Sequence, residues 1–523
     1  MKTGTLLKVF LCHLFIVSAI NAQEVIGSVE EARLDFLALD GAVDRPYLNY
    51  RTLSDNYPDA FQTLRVYGPE LFMSYNSTRP YGYNDGALWQ GKGFNSSFSS
   101  GIRLQSHGFE LTLKPVLTFT QNLDFDIMPS AYSASEYGYI WAYGPSAGAD
   151  APQRFGDDSF FQYSWGDSEL RYTWNSLTIG IGTQSAWVGP GRINAIMHSN
   201  NAAPYPKVDF GVRRTPLNLF SWYAGDIEAR MWAGYLTESD YFDADASNDN
   251  NMLSALSLSY APSFLPGFSV FANRSYLAPW AVESASSLLS LAFVNFDKGG
   301  AQDVWDQRVS LGFDYLLPAV GFEVYGEIGM NDYAPGIIGY IRYPFHSMVY
   351  TGGMRKSVVL SAVNDVKGEL LFEWTNLELS QDFQFQWPAT FYMHHQILQG
   401  YTNGGQWLGA AIGTGGNSQY LGFKIYHPRG TGEIFIQRVN PDNDYIYKNS
   451  ITNGVAFDAK DIRDFRADLS LGVRSSWDMG PSIRASAGLV ATMINNPLYD
   501  ADSYWDTVRE YNIRVETGIS YLY

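Results

Sequence analysis

From about residue 93 to the end of the chain, apolar and polar residues alternate with a period of two, in short segments separated by turn residues. In Phe109–Thr120 (FELTLKPVLTFT), the odd-numbered positions carry Phe, Leu and Pro, and the even-numbered positions carry mostly Glu, Thr and Lys. A tilted strand of about 9–11 residues crosses a bilayer, and a closed barrel of such strands satisfies its backbone hydrogen bonds within lipid. The pattern therefore predicts an all-β fold, a transmembrane antiparallel β-barrel.

The C-terminal segment carries the same alternation to the last residue. In Asn512–Tyr523 (NIRVETGISYLY), Ile513, Val515, Ile519 and Tyr521 share one face with the terminal Tyr523. A final strand that ends on an aromatic residue resembles the C-terminal signal of bacterial outer-membrane barrels. The alternative is an edge strand of a secreted β-sandwich.

The N-terminus reads as a secretory signal peptide over residues 1–22. Lys2 and Lys8 form its positive region, Val9–Ile20 its short apolar region, and Ala22 offers a small residue for cleavage. The single cysteine, Cys12, lies within this signal, so the mature chain has no disulfide. We therefore expect export to the outer membrane of a Gram-negative bacterium, in contact with its lipids.

The composition agrees with a wall that is apolar outside and wet inside. Only 17% of the residues are charged, 16% are aromatic and the formal net charge is −18, whereas soluble proteins average about 25% charged residues. The mean hydropathy is nevertheless −0.17. A strongly acidic chain disfavours nucleic acid as a partner, because binding to phosphates requires cations, but it permits weakly charged glycans.

Residues 23–92 differ from the remainder and predict a small helical module that leads into the barrel of residues 93–523. Ser28 precedes an apolar-periodic stretch that ends near Gly41, which predicts one helix. Asn49–Asp59 is rich in turn residues, and Pro58 would interrupt a helix there. We expect this module on the periplasmic side.

Three short motifs resemble catalytic, phosphate-binding or metal-binding motifs, but each lacks a residue or a structural setting that its chemistry requires. Gly144–Gly148 fits G-x-S-x-G without the strand–turn–helix setting of a nucleophile elbow. Gly413–Ser418 (GTGGNS) lacks the lysine of a phosphate-binding loop. His394 and His395 are adjacent, so in a strand they point to opposite faces and do not share a metal.

Several glutamates occupy the polar faces of predicted strands and could form the carboxylate pair of a glycoside hydrolase. We favour solvated acids that face the lumen; the residues concerned are Glu323, Glu327, Glu373 and Glu378. The prediction is a protein without catalysis and without a cofactor, although a secreted glycan-active enzyme remains an alternative.

The loop Glu238–Asn251 (ESDYFDADASNDNN) is a weak candidate for a calcium site. Asp243, Asp245 and Asp249 stand at alternate positions, but the glycine and distal glutamate of an EF-hand are missing. A solvated barrel loop is the simpler interpretation.

Aromatic residues also interleave with small polar ones in Tyr132–Tyr143 (YSASEYGYIWAY). Such faces suit sugar rings, because they combine an apolar surface with a polar tip. The aromatic girdle of a barrel explains the same pattern equally well.

Several motifs, in this order along the chain, resemble the Wzi capsule-assembly family of outer-membrane proteins. The most specific part is W-x-G-P-G followed by S-N-N-A-x-P-x-P. The matching stretches are Ala32–Asp44, Gly180–Gly191 (GIGTQSAWVGPG), His198–Pro206 (HSNNAAPYP), Phe322–Tyr333, Phe372–Ser380 and Gly400–Tyr420.

The resemblance implies a monomeric barrel of about eighteen strands that binds capsular or surface polysaccharide and assists capsule assembly without catalysis. We predict polysaccharide contacts at aromatic and amide residues of these motifs: Trp187, Asn200, Asn201, Tyr205, Tyr401, Asn403 and Trp407. For the Trp187–Gly191 group, a fixed turn is an open alternative to a binding surface. A passive porin or nutrient channel is the alternative function, because the same strands support it.

Overall fold

A computed structural model describes residues 26–53, 63–128, 135–138, 149–243, 245–280, 305–331, 338, 341–342, 345, 348–378, 391–394, 396–444, 466–499 and 508–522. The predicted signal peptide and the terminal Tyr523 lie outside these ranges, as do most of the aromatic stretch 132–143 and the G-x-S-x-G motif. Within them, no helix has the length and apolarity to span a membrane.

The wall is a closed antiparallel barrel of 18 strands, which confirms the predicted fold. Two of the wall strands are interrupted, so that β4 and β5 share one path, and β6 and β7 share the next. The wall segments are β2 (Thr63–Asn76), β3 (Gly93–Ser106), β4 (Phe109–Leu113), β5 (Val116–Thr120), β6 (Phe160–Ser164), β7 (Glu169–Trp174), β8 (Leu177–Gly182), β10 (Lys207–Leu219), β11 (Trp222–Thr237), β12 (Asn250–Pro262), β13 (Phe268–Pro279), β14 (Asp306–Leu317), β15 (Phe322–Asn331), β16 (Met348–Ser361), β17 (Val366–Asn376), β20 (Asn417–His427), β21 (Gly430–Asn440), β22 (Ala467–Asp478), β23 (Ile483–Asn495) and β24 (Arg509–Leu522).

The predicted alternation decides which side chains face outward. In the strand that begins at Phe109, Phe109 and Leu117 are 57% and 47% exposed, whereas Glu110 and Thr118 are buried in the lumen. In β24, Ile513 and Val515 face outward and Arg514 faces inward. The outer surface is therefore apolar, as a lipid-facing surface must be.

The two ends of the barrel differ in the length of their connections. At one end, short turns join the strands, for example Asn175–Ser176 between β7 and β8 and Pro428–Arg429 between β20 and β21. At the other end the connections are long, such as residues 377–416 between β17 and β20. Outer-membrane barrels have short periplasmic turns and longer extracellular loops, so the loop end is the extracellular one.

The barrel begins earlier than the boundary predicted at residue 93. Strand β2 lies within the segment assigned to the helical module, and it pairs with both β3 and the C-terminal β24, thereby closing the barrel. The sequence conceals this strand because its pairing register shifts between Tyr67 and Glu70, around Gly68 and Pro69, which breaks the alternation.

The predicted helix is present as α1 (Val29–Leu39) and lies inside the lumen at the turn end. The Ser28 hydroxyl accepts a hydrogen bond from the Glu31 amide and caps its N-terminus. The ring of Phe36 stacks on that of Tyr426 of β20, with centroids 4.0 Å apart. The Asp40 carboxylate, just past the helix, accepts a hydrogen bond from Ser357 at 2.6 Å.

Further segments fill the lumen above this helix. The short strands β1 (Tyr50–Thr52) and β9 (Ala186–Val188) pair with each other inside the barrel. Two further short strands, β18 (Thr402–Asn403) and β19 (Gln406–Trp407), pair within the connection between β17 and β20. Residues of the connections 183–206 and 391–416 pack around them in one apolar cluster, which includes Ile196, Phe391 and Tyr392. We call α1, β1, β9 and these connections the plug.

Wall carboxylates hold the irregular parts of the plug through its backbone. The Glu228 carboxylate accepts hydrogen bonds from the amides of residues 48–50 at 2.9–3.0 Å. The Glu373 carboxylate accepts from the amides of Arg192, Ile193 and Asn194 at 2.5–3.2 Å. Buried backbone N–H groups need hydrogen-bond acceptors, and these two carboxylates supply the acceptors that a neighbouring strand would otherwise provide.

A buried ion-pair network joins α1, the plug and the wall. We call it the lumen network, and it consists of Asp35, Arg45, Arg192, Asp314, Glu323, Arg355 and Glu369. The Asp35 carboxylate of α1 lies 2.7 Å from Arg355 and 3.2 Å from Arg45. Glu323 lies 2.7–2.8 Å from the guanidinium groups of Arg45, Arg192 and Arg355.

The expectation of solvated lumen acids is wrong for three of the four glutamates. Glu323, Glu327 and Glu373 face the lumen but are no more than 2% exposed, because the plug occupies the space that water was expected to fill. Glu378, at the loop end of β17, is half-buried and accepts a hydrogen bond from Asn443 at 2.6 Å.

Replacing Asp35 by Asn should destabilise the docking of α1 by about 3–5 kcal/mol, because it removes the helix's own carboxylate from three buried guanidinium groups and leaves the network with one negative charge fewer. The measurement is thermal and urea unfolding of the detergent-purified protein, with heat-dependent gel mobility as the assay of the folded barrel. Asp44→Asn is the matched control, because Asp44 is exposed just beyond the same helix. Equal stability of the two variants would contradict the role given to the lumen network.

Candidate functional site

The plug places most of the predicted polysaccharide-contact residues in its interior. Trp187, Asn201, Tyr205, Tyr401 and Asn403 are each no more than 8% exposed. Asn200 and Trp407 are half-buried. The motifs that predicted the site therefore lie inside the plug, and only some of their residues are accessible at a surface.

Trp187 belongs to a turn that is closed by a hydrogen bond from its own side chain. Its indole N–H donates to the Gly191 carbonyl at 2.9 Å, and the guanidinium of Arg51 lies 4.9 Å from its ring centroid. Gly189 has a φ of +117°, and a Cβ there would lie 2.6 Å from a carboxylate oxygen of Glu327. This geometry favours the fixed-turn interpretation of the W-x-G-P-G motif.

Tyr205 lies in a buried hydrogen-bond chain. Burial and the nearby charge of Lys207 lower the pKa of His198 to about 4, so that its ring is neutral at pH 7. Its Nδ1 lies 2.9 Å from the Ala186 carbonyl, which can only accept, so Nε2 accepts from the Tyr205 hydroxyl at 2.7 Å. The Trp232 indole N–H in turn donates to that hydroxyl.

Tyr401 and Asn403 fasten one loop of the plug to another. The Tyr401 hydroxyl donates to the Met197 carbonyl at 2.9 Å, and the Arg308 guanidinium lies 4.3 Å from its ring centroid. The Asn403 amide donates to the Ala203 carbonyl at 2.9 Å. Their contacts are therefore structural ones within the plug.

The two asparagines of the S-N-N motif make different contacts. Asn200 donates to the Ile26 carbonyl at 3.4 Å and so contacts the start of the described chain. Asn201 donates to the Trp407 carbonyl at 3.0 Å and accepts from the Asn84 amide at 3.2 Å. Of the seven predicted residues, Asn201 and Trp407 line a surface cleft at the loop end.

This loop-end cleft has a volume of about 310 Å³ and is formed by six connections between wall strands. Protein sites for small ligands have volumes from about 300 Å³ upward. Its walls combine four aromatic rings with guanidinium and amide groups. The lining side chains with these groups are Arg79, Trp89, Phe125, Gln153, Asn201, Gln406, Trp407, Arg466 and Tyr499.

The two tryptophans of the cleft are held rigidly from behind. Trp89 packs against Phe155, with ring centroids 4.8 Å apart. Trp407 stacks on Tyr392 at 5.7 Å, and the backbone of Gly413 lies so close that a Cβ would be 2.5 Å from the indole nitrogen. The glycine-rich stretch 413–418 thus serves to pack an aromatic side chain.

Both arginines of the cleft are oriented by acids at its edge. Arg79 forms a bidentate pair with Glu510 at 2.6 and 2.9 Å. Arg466 forms a second such pair with Asp468 at 3.0 and 2.8 Å. Such bidentate pairs fix guanidinium planes, so the cleft presents oriented donors beside fixed aromatic faces.

The described residues that line the cleft include no carboxylate. Glycoside hydrolysis ordinarily requires two carboxyl groups that flank the scissile bond, and the described lining of the cleft does not provide them. His394, the described member of the predicted histidine pair, accepts hydrogen bonds from the amides of Gln396 and Ile397 and so stabilises a turn.

Most of the residues that line this cleft could not be predicted from the sequence. Trp89 lies in the stretch predicted to be a helical module, and Phe125 and Tyr499 stand singly in polar loops. Aromatic residues in turn-rich polar segments were the available signal, but nothing in the sequence shows that these segments meet.

The acidic loop gathers a different set of carboxylates from the predicted one. Oxygens of Glu238, Asp243 and Asp249 lie within 4.8 Å of one another. Asp245 is absent from this group, because its carboxylate accepts from the amide and the hydroxyl of Ser247 in a local turn. Calcium binding in this loop stays a prediction.

Repulsion in this loop generates a pH dependence. Burial and the neighbouring Asp243, Asp150 and Asp249 raise the pKa of Glu238 to about 9. A raised carboxyl pKa means that the folded state holds a proton that the unfolded state releases, so stability falls as pH rises from about 4.3 to 9. Glu238→Gln should flatten this decline and raise the melting temperature at pH 8.

The melting temperature of detergent-purified protein at a series of pH values checks this expectation. Asp240→Asn is the control, because Asp240 is an exposed acid of the same loop. Identical pH profiles for the parent and Glu238→Gln would contradict it.

The chain was compared with known protein sequences and solved structures. No curated protein matches the sequence. The solved structure of Wzi from Escherichia coli, an outer-membrane, carbohydrate-binding β-barrel involved in group 1 capsule assembly, aligns with a TM-score of 0.57 and 12% identity over 95% of this chain and 88% of that one. That likeness supports the barrel fold.

Porin-type barrels are more distant. OccK8 (OprE) of Pseudomonas aeruginosa has a TM-score of 0.41 at 7% identity, over 88% of this chain and 97% of that one. OprB of Pseudomonas putida has a TM-score of 0.38 at 11% identity, over 89% and 95% respectively.

The family comparison is decisive and agrees with the resemblance seen in the motifs. The sequence model of the capsule assembly protein Wzi matches residues 130–503, well over half of the chain. The protein is therefore an outer-membrane β-barrel that belongs to the Wzi family of capsule assembly proteins.

Proposed function

We propose that this barrel binds capsular polysaccharide in the loop-end cleft and thereby helps to attach the capsule to the cell surface, without catalysis. The observation that carries the proposal is the pair of rigid tryptophans, Trp89 and Trp407, beside the oriented guanidinium groups of Arg79 and Arg466. A sugar ring offers an apolar face to stack on an indole and hydroxyl groups to accept from guanidinium donors.

The position of the cleft fits a surface-attached polymer. It lies at the end with the long connections, which is extracellular in outer-membrane barrels. Rigid side chains lose little conformational entropy on binding, so preorganised rings favour affinity. The absence of carboxylates among its described lining residues is consistent with binding rather than hydrolysis.

Replacing Trp89 or Trp407 by Ala should weaken binding of the capsular polysaccharide about tenfold, because a stacking face worth about 1.4 kcal/mol is lost. Binding of purified protein to immobilised polysaccharide, followed by biolayer interferometry, is the measurement. Trp222→Ala is the matched control, since Trp222 is an exposed tryptophan at the turn end of the barrel.

The cellular counterpart is capsule retention. Deletion of the gene should release polysaccharide into the medium, and complementation by the parent, but not by the two cleft variants, should restore attachment. Full attachment in the deletion strain would remove the proposal.

We further propose that the protein acts as a monomer that does not conduct. The 18 wall strands form a closed barrel in which each has a paired neighbour on both sides for at least part of its length, and such closure disfavours edge-to-edge association with a second copy. Support against a passive porin comes from the plug, whose buried apolar cluster and lumen network fill the barrel between its ends.

Planar-bilayer recordings test the closed lumen. We expect insertion without the steady ohmic conductance of a porin, because a hydrogen-bonded plug leaves no continuous water path. A porin recorded in parallel supplies the positive control. Steady, cation-selective conductance of this protein would favour the channel alternative.

A further inference from the structure

The outward face of the wall carries a polar row close to its extracellular end. Strand pairing aligns Trp374 of β17 with Gln419 of β20, and Gln419 with Arg438 of β21. The residues before and after each of them are buried in the lumen, so these three side chains point toward lipid. We call them the polar row, and they lie within two residues of the strand ends.

Arg438 differs from the arginines that face the lumen. Arg171, Arg308 and Arg355 are buried and ion-paired with acids. Arg438 is exposed, and no carboxylate among the described residues forms an ion pair with it. A guanidinium close to the end of a lipid-facing strand reaches the head-group region of the membrane, where an anionic head group is its natural partner.

Two amides fix the direction of this guanidinium. Arg438 donates through Nη1 to the Gln419 side-chain oxygen at 2.7 Å and to the Asn417 side-chain oxygen at 2.9 Å. Gln419 also donates to Asn417 at 3.2 Å, and the Asn417 amide nitrogen donates to Glu378. The amides therefore lie between Arg438 and Glu378, and no described residue accepts a hydrogen bond from Nε or Nη2 of Arg438, so both can serve a ligand.

Directly below the polar row, the wall is apolar. Strand pairing aligns Phe372, Leu421, Ile436 and Leu471, and the last three are 45%, 43% and 56% exposed. Trp374 lies at the level of Gln419 and Arg438 and is 46% exposed, at a depth where tryptophan concentrates in membrane proteins. The surface is thus amphipathic along the membrane normal, with a cation above a belt for acyl chains.

We propose that the polar row binds the phosphorylated head group of a glycolipid in the extracellular leaflet, whose acyl chains lie along the apolar belt. A guanidinium binds phosphate oxygens in bidentate fashion. The occupant is a lipid rather than a free anion, because the guanidinium opens onto the membrane and is continuous with the lipid-facing surface. This site lies on the outside of the wall and is independent of glycan binding in the loop-end cleft.

The test uses the full mature protein in a maltoside detergent, which carries no phosphate. Native mass spectrometry measures the fraction of protein that retains bisphosphorylated lipid A, compared with lipid A from which the phosphates have been removed. Arg438→Gln should retain phosphorylated lipid A about fivefold less than the parent, as one interfacial cation predicts. Retention by Arg438→Lys should lie between these two values, because lysine keeps the positive charge but cannot bind phosphate in bidentate fashion.

Lys356→Gln is the matched control, since Lys356 is an outward-facing cation at the turn end of β16. It should retain lipid A like the parent, and all proteins should bind the dephosphorylated lipid equally weakly. Heat-dependent gel mobility establishes that every variant is folded.

Two results would overturn the proposal. One is equal retention of phosphorylated lipid A by Arg438→Gln and the parent. The other is displacement of the lipid by excess inorganic phosphate, which would make the row a site for a free anion.

Discussion

The attachment of the plug to the wall depends on the lumen network. A barrel of 18 strands encloses a lumen too wide for wall side chains alone to fill, and here that space is filled by α1 and two long connections. Their attachment rests on buried charges: Asp35 of the helix and Glu323 of the wall share the guanidinium groups of Arg45 and Arg355. Each charge is tolerable in the interior only because the others are present.

The wall carboxylates complete this attachment in a different way. Glu228 and Glu373 accept hydrogen bonds from backbone amides of segments that have little regular structure of their own. Carboxylates on the inner face of the wall therefore accept hydrogen bonds from the backbone of the plug, whereas in the wall itself the neighbouring strands accept them. Described residues of the plug are consequently buried at the centre of the barrel. The two ligand surfaces that we propose lie at the loop end and on the lipid-facing side.

The sequence predicted the wall well and the site poorly. Alternation is a local property, so the outward and inward faces of β24 and of the strand from Phe109 could be read directly. Strand β2 escaped because its register shifts at Gly68 and Pro69. The motif residues Trp187, Tyr205 and Tyr401 suggested binding by their chemistry, but aromatic and amide groups serve equally well to pack a plug, and that is where the structure places them.

The sequence by itself determined the fold class, the export signal as an expectation, the helix capped by Ser28 and the family, because these depend on periodicity, local capping and ordered motifs. Only the tertiary structure decided whether the lumen is filled, which acids are buried and where Trp89, Trp407 and Tyr499 meet. These properties depend on contacts between connections hundreds of residues apart, which no local pattern records. Likewise, Arg438 and the outward-facing amides beside it form one surface only because strand pairing aligns β17, β20 and β21.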